Sequence, residues 1–101
     1  MANLNVNIPH ELSQDEALSR IKNLLTKLKE EHKDMVSNVH EEWTDNKGKF
    51  AFTAKGFDID GLISVNQGGV DIDAKLPFAL SFFKGSIAKF ISEKAQQLLA
   101  R

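Results

Sequence analysis

Apolar and polar residues alternate one for one through most of this chain, and two stretches of helical spacing interrupt or close the alternation. Leu4, Val6 and Ile8 alternate with Asn3, Asn5 and Asn7, the period of a strand with one buried face, and Pro9 ends it. Ser13-Gln14-Asp15-Glu16 matches a capping box, in which the Ser13 hydroxyl accepts from the Glu16 amide and the Glu16 carboxylate reaches back. Ala17, Leu18, Ile21, Leu24, Leu25 and Leu28 then follow at three- and four-residue spacing, which predicts one helix from Ser13 to Glu31. Its lysine-rich last turns complement the helix dipole.

Alternation returns at Met35–Thr44, rich in Val, Thr and Trp, and predicts a strand in which Glu41 shares parity with Val39 and Trp43. Asp45-Asn46-Lys47-Gly48 reads as a turn. Phe50, Phe52 and Ala54 form the inner face of the next strand, and Gly56 allows a bend. Phe57, Ile59, Gly61, Ile63 and Val65 form the inner face of another, with Asp58, Asp60 and Ser64 outside. Asn66-Gln67-Gly68-Gly69 supplies residues that tolerate positive φ, as a tight hairpin needs. Val70, Ile72, Ala74 and Leu76 then face inward, against Asp71, Asp73 and Lys75. The last stretch, Leu76–Leu99, predicts a long helix with Pro77 in its first turn. At about 100° per residue, Leu80, Phe83, Ile87, Phe90, Ile91, Ala95 and Leu98 share one face.

The predicted order is β-α-β-β-β-β-α, an α+β fold forming one domain over residues 1–101. Short links make the last four strands an antiparallel meander. One-sided alternation leaves one face of the sheet wet, so both helices belong on the other.

Composition narrows the function more than the fold. A chain of 101 residues that is 42% hydrophobic can bury roughly 60 to 70% of its unfolded surface. No apolar run reaches the roughly 18 to 20 residues of a membrane span, and Met1–Pro9 lacks the basic and apolar regions of a signal peptide, so a cytoplasmic location is expected. The absence of cysteine rules out disulfides, thiolate metal sites and a cysteine nucleophile. A net charge of -1 argues against a nucleic-acid partner held by bulk electrostatics. Charge is nonetheless uneven: from Lys75 to Arg101 there are five bases and one acid, Glu93.

Sites with specific chemistry are sparse. His10, His32 and His40 lack the spacing of a metal pair, and His40-Glu41-Glu42 lacks the second histidine of a zinc protease helix, so no metal is expected. Asp58-Ile59-Asp60-Gly61 has no glutamate where a calcium loop needs its bidentate ligand. Asp58, Asp60, Asp71 and Asp73 instead read as solvated carboxylates on the wet face of the sheet. No nucleophile, base and orienter occur at persuasive spacing, so neither an enzyme nor a cofactor is expected. Should a reaction be found, His10 and His40 are the first residues to replace.

Phe78 and Phe82 stand out, because helical geometry sets them opposite the core face, beside Lys89. Two arrangements account for them. Either they form an apolar and basic surface on the last helix, or that helix begins near Ser86 after a break at Gly85 and residues 78–84 form a separate turn. A surface of this kind suits an oligomer contact or attachment to an apolar surface.

Taken together, His10-x-Leu12 with Glu16-Ala17, Trp43, Phe50-x-Phe52, Gly56-Phe57, Gly61-x-Ile63-x-Val65, Leu76-Pro77, Ile87 and Ile91 make the chain resemble the polyhydroxyalkanoic acid system family along nearly its whole length. These are small bacterial proteins associated by name with polyester storage granules. The resemblance implies a cytoplasmic protein linked to polyhydroxyalkanoate metabolism, with a granule or granule protein as partner, and brings no catalytic residues. The expected function is a non-enzymatic interaction module using Phe78, Phe82 and Lys89, with a homodimer competing for the same surface. The alternative is a carrier of acyl or hydroxyacyl ligands, with a cavity between sheet and last helix lined by Trp43, Phe52, Phe57 and Phe83.

Overall fold

A computed structural model describes residues 2–100; Met1 and Arg101, the ends of the expected domain, lie outside the described residues. The elements are β1 (Ala2–Pro9), α1 (Gln14–Ile21), α2 (Leu24–Glu31), β2 (Val36–Thr44), β3 (Lys47–Ala54), β4 (Phe57–Asn66), β5 (Gly69–Leu76), a 3₁₀ helix (Phe78–Phe83) and α3 (Lys84–Leu99). The five strands form one sheet in the order β1-β5-β4-β3-β2, with every neighbouring pair antiparallel. The first strand therefore lies beside the last, and α1 and α2 carry the chain across the inner face from one edge to the other.

That inner face is the one the alternation marks. Leu4, Val6 and Ile8 of β1, Val70, Ile72, Ala74 and Leu76 of β5, and Ile59, Ile63 and Val65 of β4 are buried, together with Phe50. Ala17, Ile21, Leu24, Leu25 and Leu28 cover them from the first helical segment, and Ile91, Ala95 and Leu99 from α3. Two glycines set close approaches. Gly48 pairs with Trp43 and so belongs to β3 and not to the preceding turn, which is Asp45-Asn46 alone, and a Cβ on it would lie 2.6 Å from the Trp43 ring. A Cβ on Gly61 would lie 2.0 Å from the Asp73 carbonyl oxygen and 2.7 Å from Phe50 Cζ.

Three expectations are corrected. The Ser13–Glu31 helix is two helices, broken at Lys22-Asn23, where the Asn23 N–H donates to the Arg20 carbonyl in a tighter i→i+3 bond. The closing helix starts at Lys84, close to the break considered at Gly85, because residues 78–83 adopt the 3₁₀ form. Phe83 does not join the core face. Its backbone (φ -99°, ψ 8°) leaves the helical region at the junction, so the i+4 spacing from Phe83 to Ile87 does not carry its ring inward, and it is 57% exposed.

Polar contacts fasten the helices to one another. The Ser13 hydroxyl accepts from the Glu16 N–H at 3.1 Å, the first half of the capping box. Arg20 pairs with Glu16 at 2.9 Å and donates to the Ala100 carbonyl at 2.6 Å, tying α1 to the end of α3. Glu31 pairs with Lys94 across α2 and α3, and the Lys94 ammonium holds the Glu31 carboxyl below the usual carboxylate range. A carboxyl depressed in the folded state adds stability above its unfolded pKa and loses that contribution as pH falls through the folded value. Thermal melts below about pH 5 should therefore show a shallower acid-side loss of Tm in Lys94→Met than in wild type. Parallel curves would remove the pair as a source of pH dependence.

Candidate functional site

The apolar surface is built where β5 gives way to α3. Pro77, with φ -57° and ψ 151°, ends the strand and offers its carbonyl to the Leu80 N–H at 2.9 Å, which starts the 3₁₀ helix. Leu80 packs against the core. Phe78, Phe82 and Phe83 project away, with 79%, 96% and 57% of their surface exposed. Solvent contact at this level is unusual for three phenylalanines within six residues, because burying one such ring is worth roughly 1.5 to 3 kcal/mol. Lys84 follows directly, and Lys89, a little over one turn further along α3, is exposed as well. Phe78, Phe82 and Lys89, the residues expected at an outer surface, are each exposed, and so is Phe83.

The residues expected to line an internal cavity are dispersed. Trp43 is half-buried over Gly48, with its indole N–H donating to Glu41 at 2.9 Å and the Lys22 ammonium 5.8 Å from its ring centroid. Phe52 stacks on Phe50 with centroids 6.1 Å apart, and Phe57 sits at the far end of β4, opposite Ala54. Phe83 faces solvent on the 3₁₀ helix, so the four do not converge on one space.

A bulge in β2 changes the inward parity along that strand. Between Ser37 and His40 one extra residue is inserted, with Asn38 at φ 53°, so Val39 and Trp43 pack on the core while Val36, of the opposite parity, still pairs with the inward Ala54. Glu41 keeps inward parity at the sheet edge, where it accepts the indole hydrogen bond.

The opposite face of the sheet is open and polar, with a shallow trough of about 800 Å3 crossing all five strands. Register places Asn3, Lys75, Asp60, Ala51 and His40 in one row, and Asn5, Asp73, Leu62, Lys49 and Glu42 in the next. Asp58, Asp60, Asp71 and Asp73 all belong to this face, as their parity indicates. Asn5 and Asn7 donate to Asp73 and Asp71, and Asp58 accepts from the Thr53 hydroxyl at 2.9 Å.

His10 is occupied by the fold. Its Nδ1 accepts from the Leu12 N–H at 3.1 Å, which leaves Nε2 to donate to the Asn66 carbonyl at 2.9 Å. His40 stands exposed on the open face. Among the described residues no three His, Asp or Glu side chains are grouped to hold a metal ion, and no helix is long and apolar enough to cross a membrane.

Residues 4–99 match the model of a family described as "Putative polyhydroxyalkanoic acid system protein". The chain belongs to this family. The family name ties it to polyhydroxyalkanoate systems. Searches of curated proteins and of solved structures find no match. The residues that carried the resemblance are mostly core and turn positions: Leu76, Ile91 and Phe50 are buried, Gly61 leaves no room for a Cβ against the neighbouring β5 backbone, and Gly56 adopts φ 84°. Phe78, Phe82 and Phe83 lie outside that set.

Proposed function

We propose that this chain is a non-enzymatic interaction module of the polyhydroxyalkanoate system, attaching to the apolar surface of the polyester granule through Phe78, Phe82 and Phe83, with Lys84 and Lys89 beside them. The observation that carries this reading is the exposure of three phenylalanines on one short 3₁₀ helix. Exposed apolar groups of this density mark a binding surface, and adjoining lysines would pair with anionic groups at the boundary of such a particle. Membership of the family supplies the system in which that surface acts.

The test is co-sedimentation of the purified chain with polyhydroxyalkanoate granules, wild type beside the Phe78→Asp, Phe82→Asp variant. Wild type should sediment and the variant should remain in solution, with circular dichroism and melting temperature unchanged. A folded variant that still sediments would overturn the reading.

A further inference from the structure

The two edges of the sheet are not equivalent. β2 is protected in the usual ways: its ladder is broken by the bulge between Ser37 and His40, and it carries His40, Glu41 and Glu42. β1 has neither device. Its register with β5 runs unbroken from Ala2 to Pro9, and no side chain along it is charged.

Backbone parity shows what that edge offers. In an antiparallel strand the N–H and C=O of one residue point to the same side, and successive residues point to opposite sides. The His10 N–H donates to the Gly68 carbonyl at 3.0 Å, toward β5, which assigns Leu4, Val6 and Ile8 to β5 as well. Asn3, Asn5 and Asn7 therefore direct their peptide groups to the free side. Pro9 shares their parity, so its missing N–H falls on that side and removes nothing from the ladder. Among the described residues none of these three asparagines has a backbone hydrogen-bond partner on the free side.

We propose that β1 pairs antiparallel with β1 of a second copy, joining two five-stranded sheets into one continuous ten-stranded sheet. With Asn5 on the two-fold axis, Asn5 faces its own copy and Asn3 faces Asn7 in both directions. These three facing pairs each exchange two bonds and use every free peptide group of Asn3, Asn5 and Asn7. The occupant is identified by self-complementarity. An uncharged row of asparagines, of which Asn5 and Asn7 donate sideways to Asp73 and Asp71 of their own sheet, meets the same row with no like charge directly opposed, whereas pairing β2 with itself would set Glu41 and Glu42 among their copies. A two-fold pairing also closes, leaving neither β1 edge unpaired. The proposal uses a different surface from Phe78, Phe82 and Phe83 and does not depend on their role.

The test is the mass of the full chain in solution by equilibrium sedimentation, with amide hydrogen exchange on the same samples. Wild type should have the mass of two chains, and the amides of Asn3, Asn5 and Asn7 should be protected at high protein concentration and exchange faster on dilution. Asn5→Pro removes the central donor. Asn5→Lys opposes two ammonium groups at the axis, while the new side chain lies beside Asp73 and keeps the monomer folded. Both variants should have the mass of one chain, and Phe78→Asp, Phe82→Asp should remain a dimer. A monomeric wild type with unprotected Asn amides would overturn the proposal. So would a dimer that survives both Asn5 substitutions, or one that is lost only in the phenylalanine variant.

Discussion

Gly61→Ala is expected to destabilise the protein at or beyond the top of the roughly 1 to 3 kcal/mol that an extra methylene costs in a packed core. The reason is the nature of the obstacle. Phe50 Cζ, 2.7 Å from where a Cβ on Gly61 would sit, belongs to a side chain that could swing aside, but the Asp73 carbonyl oxygen at 2.0 Å and the Ala74 Cα at 2.9 Å belong to the backbone of β5. Accommodating a Cβ means separating β4 from β5 at the centre of the sheet, where Gly61 faces Ala74. Against a total stability of roughly 5 to 15 kcal/mol for a domain of ordinary size, that is a large fraction. Gly85→Ala is the matched control, because a Cβ there meets nothing within 4 Å and residue 85 is helical, so the change should be neutral or stabilising by about 0.4 to 1 kcal/mol. Urea titrations of the two variants check both values. A Gly61→Ala midpoint equal to wild type would show that the β4–β5 spacing is not what these distances indicate. Replacing Phe50 by leucine in the Gly61→Ala background should recover little, since the backbone contact remains.

What was legible in the sequence follows from how locally each feature is determined. Strand alternation depends only on which side of the sheet a residue faces, so the inner faces of β1, β3, β4 and β5 could be read directly, down to Gly61 among them. The Ser13 cap was equally local. The break at Lys22-Asn23 was not legible, because Ile21, Leu24 and Leu25 remain buried on both sides of it and no proline or glycine marks it. The β2 bulge was marked only by the change of parity between Val36 and Trp43; Glu41 lies beyond it, with the parity of Trp43. One residue inserted at Asn38, a residue type that tolerates positive φ, accounts for the mixed parity of Val36 and Trp43, while the indole hydrogen bond accounts for Glu41.

At the candidate surface, Phe78 and Phe82 are exposed, but on a separate 3₁₀ segment of about 120° per residue and not on the closing helix whose 100° projection set them opposite the core. Periodicity misplaced Phe83 because the projection assumed one continuous helix, and the phase is lost where the 3₁₀ segment meets α3. Gly85 and the adjacent pair Phe82-Phe83 were the available signals. The trough on the open face was beyond sequence reasoning for a different reason. Its rows combine residues as far apart as Asn3 and Lys75, and only the β1–β5 pairing brings them together.

Truncating two phenylalanines in the same way should separate core from surface by stability alone. Phe50 is 7% exposed and stacks with Phe52, whereas Phe82 is 96% exposed. Phe50→Ala is expected to remove about 3 to 5 kcal/mol, through lost transfer free energy and the cavity left above Gly61. Phe82→Ala should stay within about 0.5 kcal/mol of wild type, because the removed ring has almost no neighbours to lose. Denaturant midpoints measured at low protein concentration give the comparison. Binding should reverse the order: Phe82→Ala should weaken granule sedimentation, and Phe50→Ala should weaken it only in proportion to the fraction unfolded. Were Phe82→Ala as destabilising as Phe50→Ala, its ring would have to be covered in solution, and Phe78, Phe82 and Phe83 would belong to the protein's own packing instead of to a partner. A neutral Phe82→Ala with lost sedimentation assigns the ring to the partner, because a side chain that contributes nothing to folding can only be acting through what it touches outside the chain.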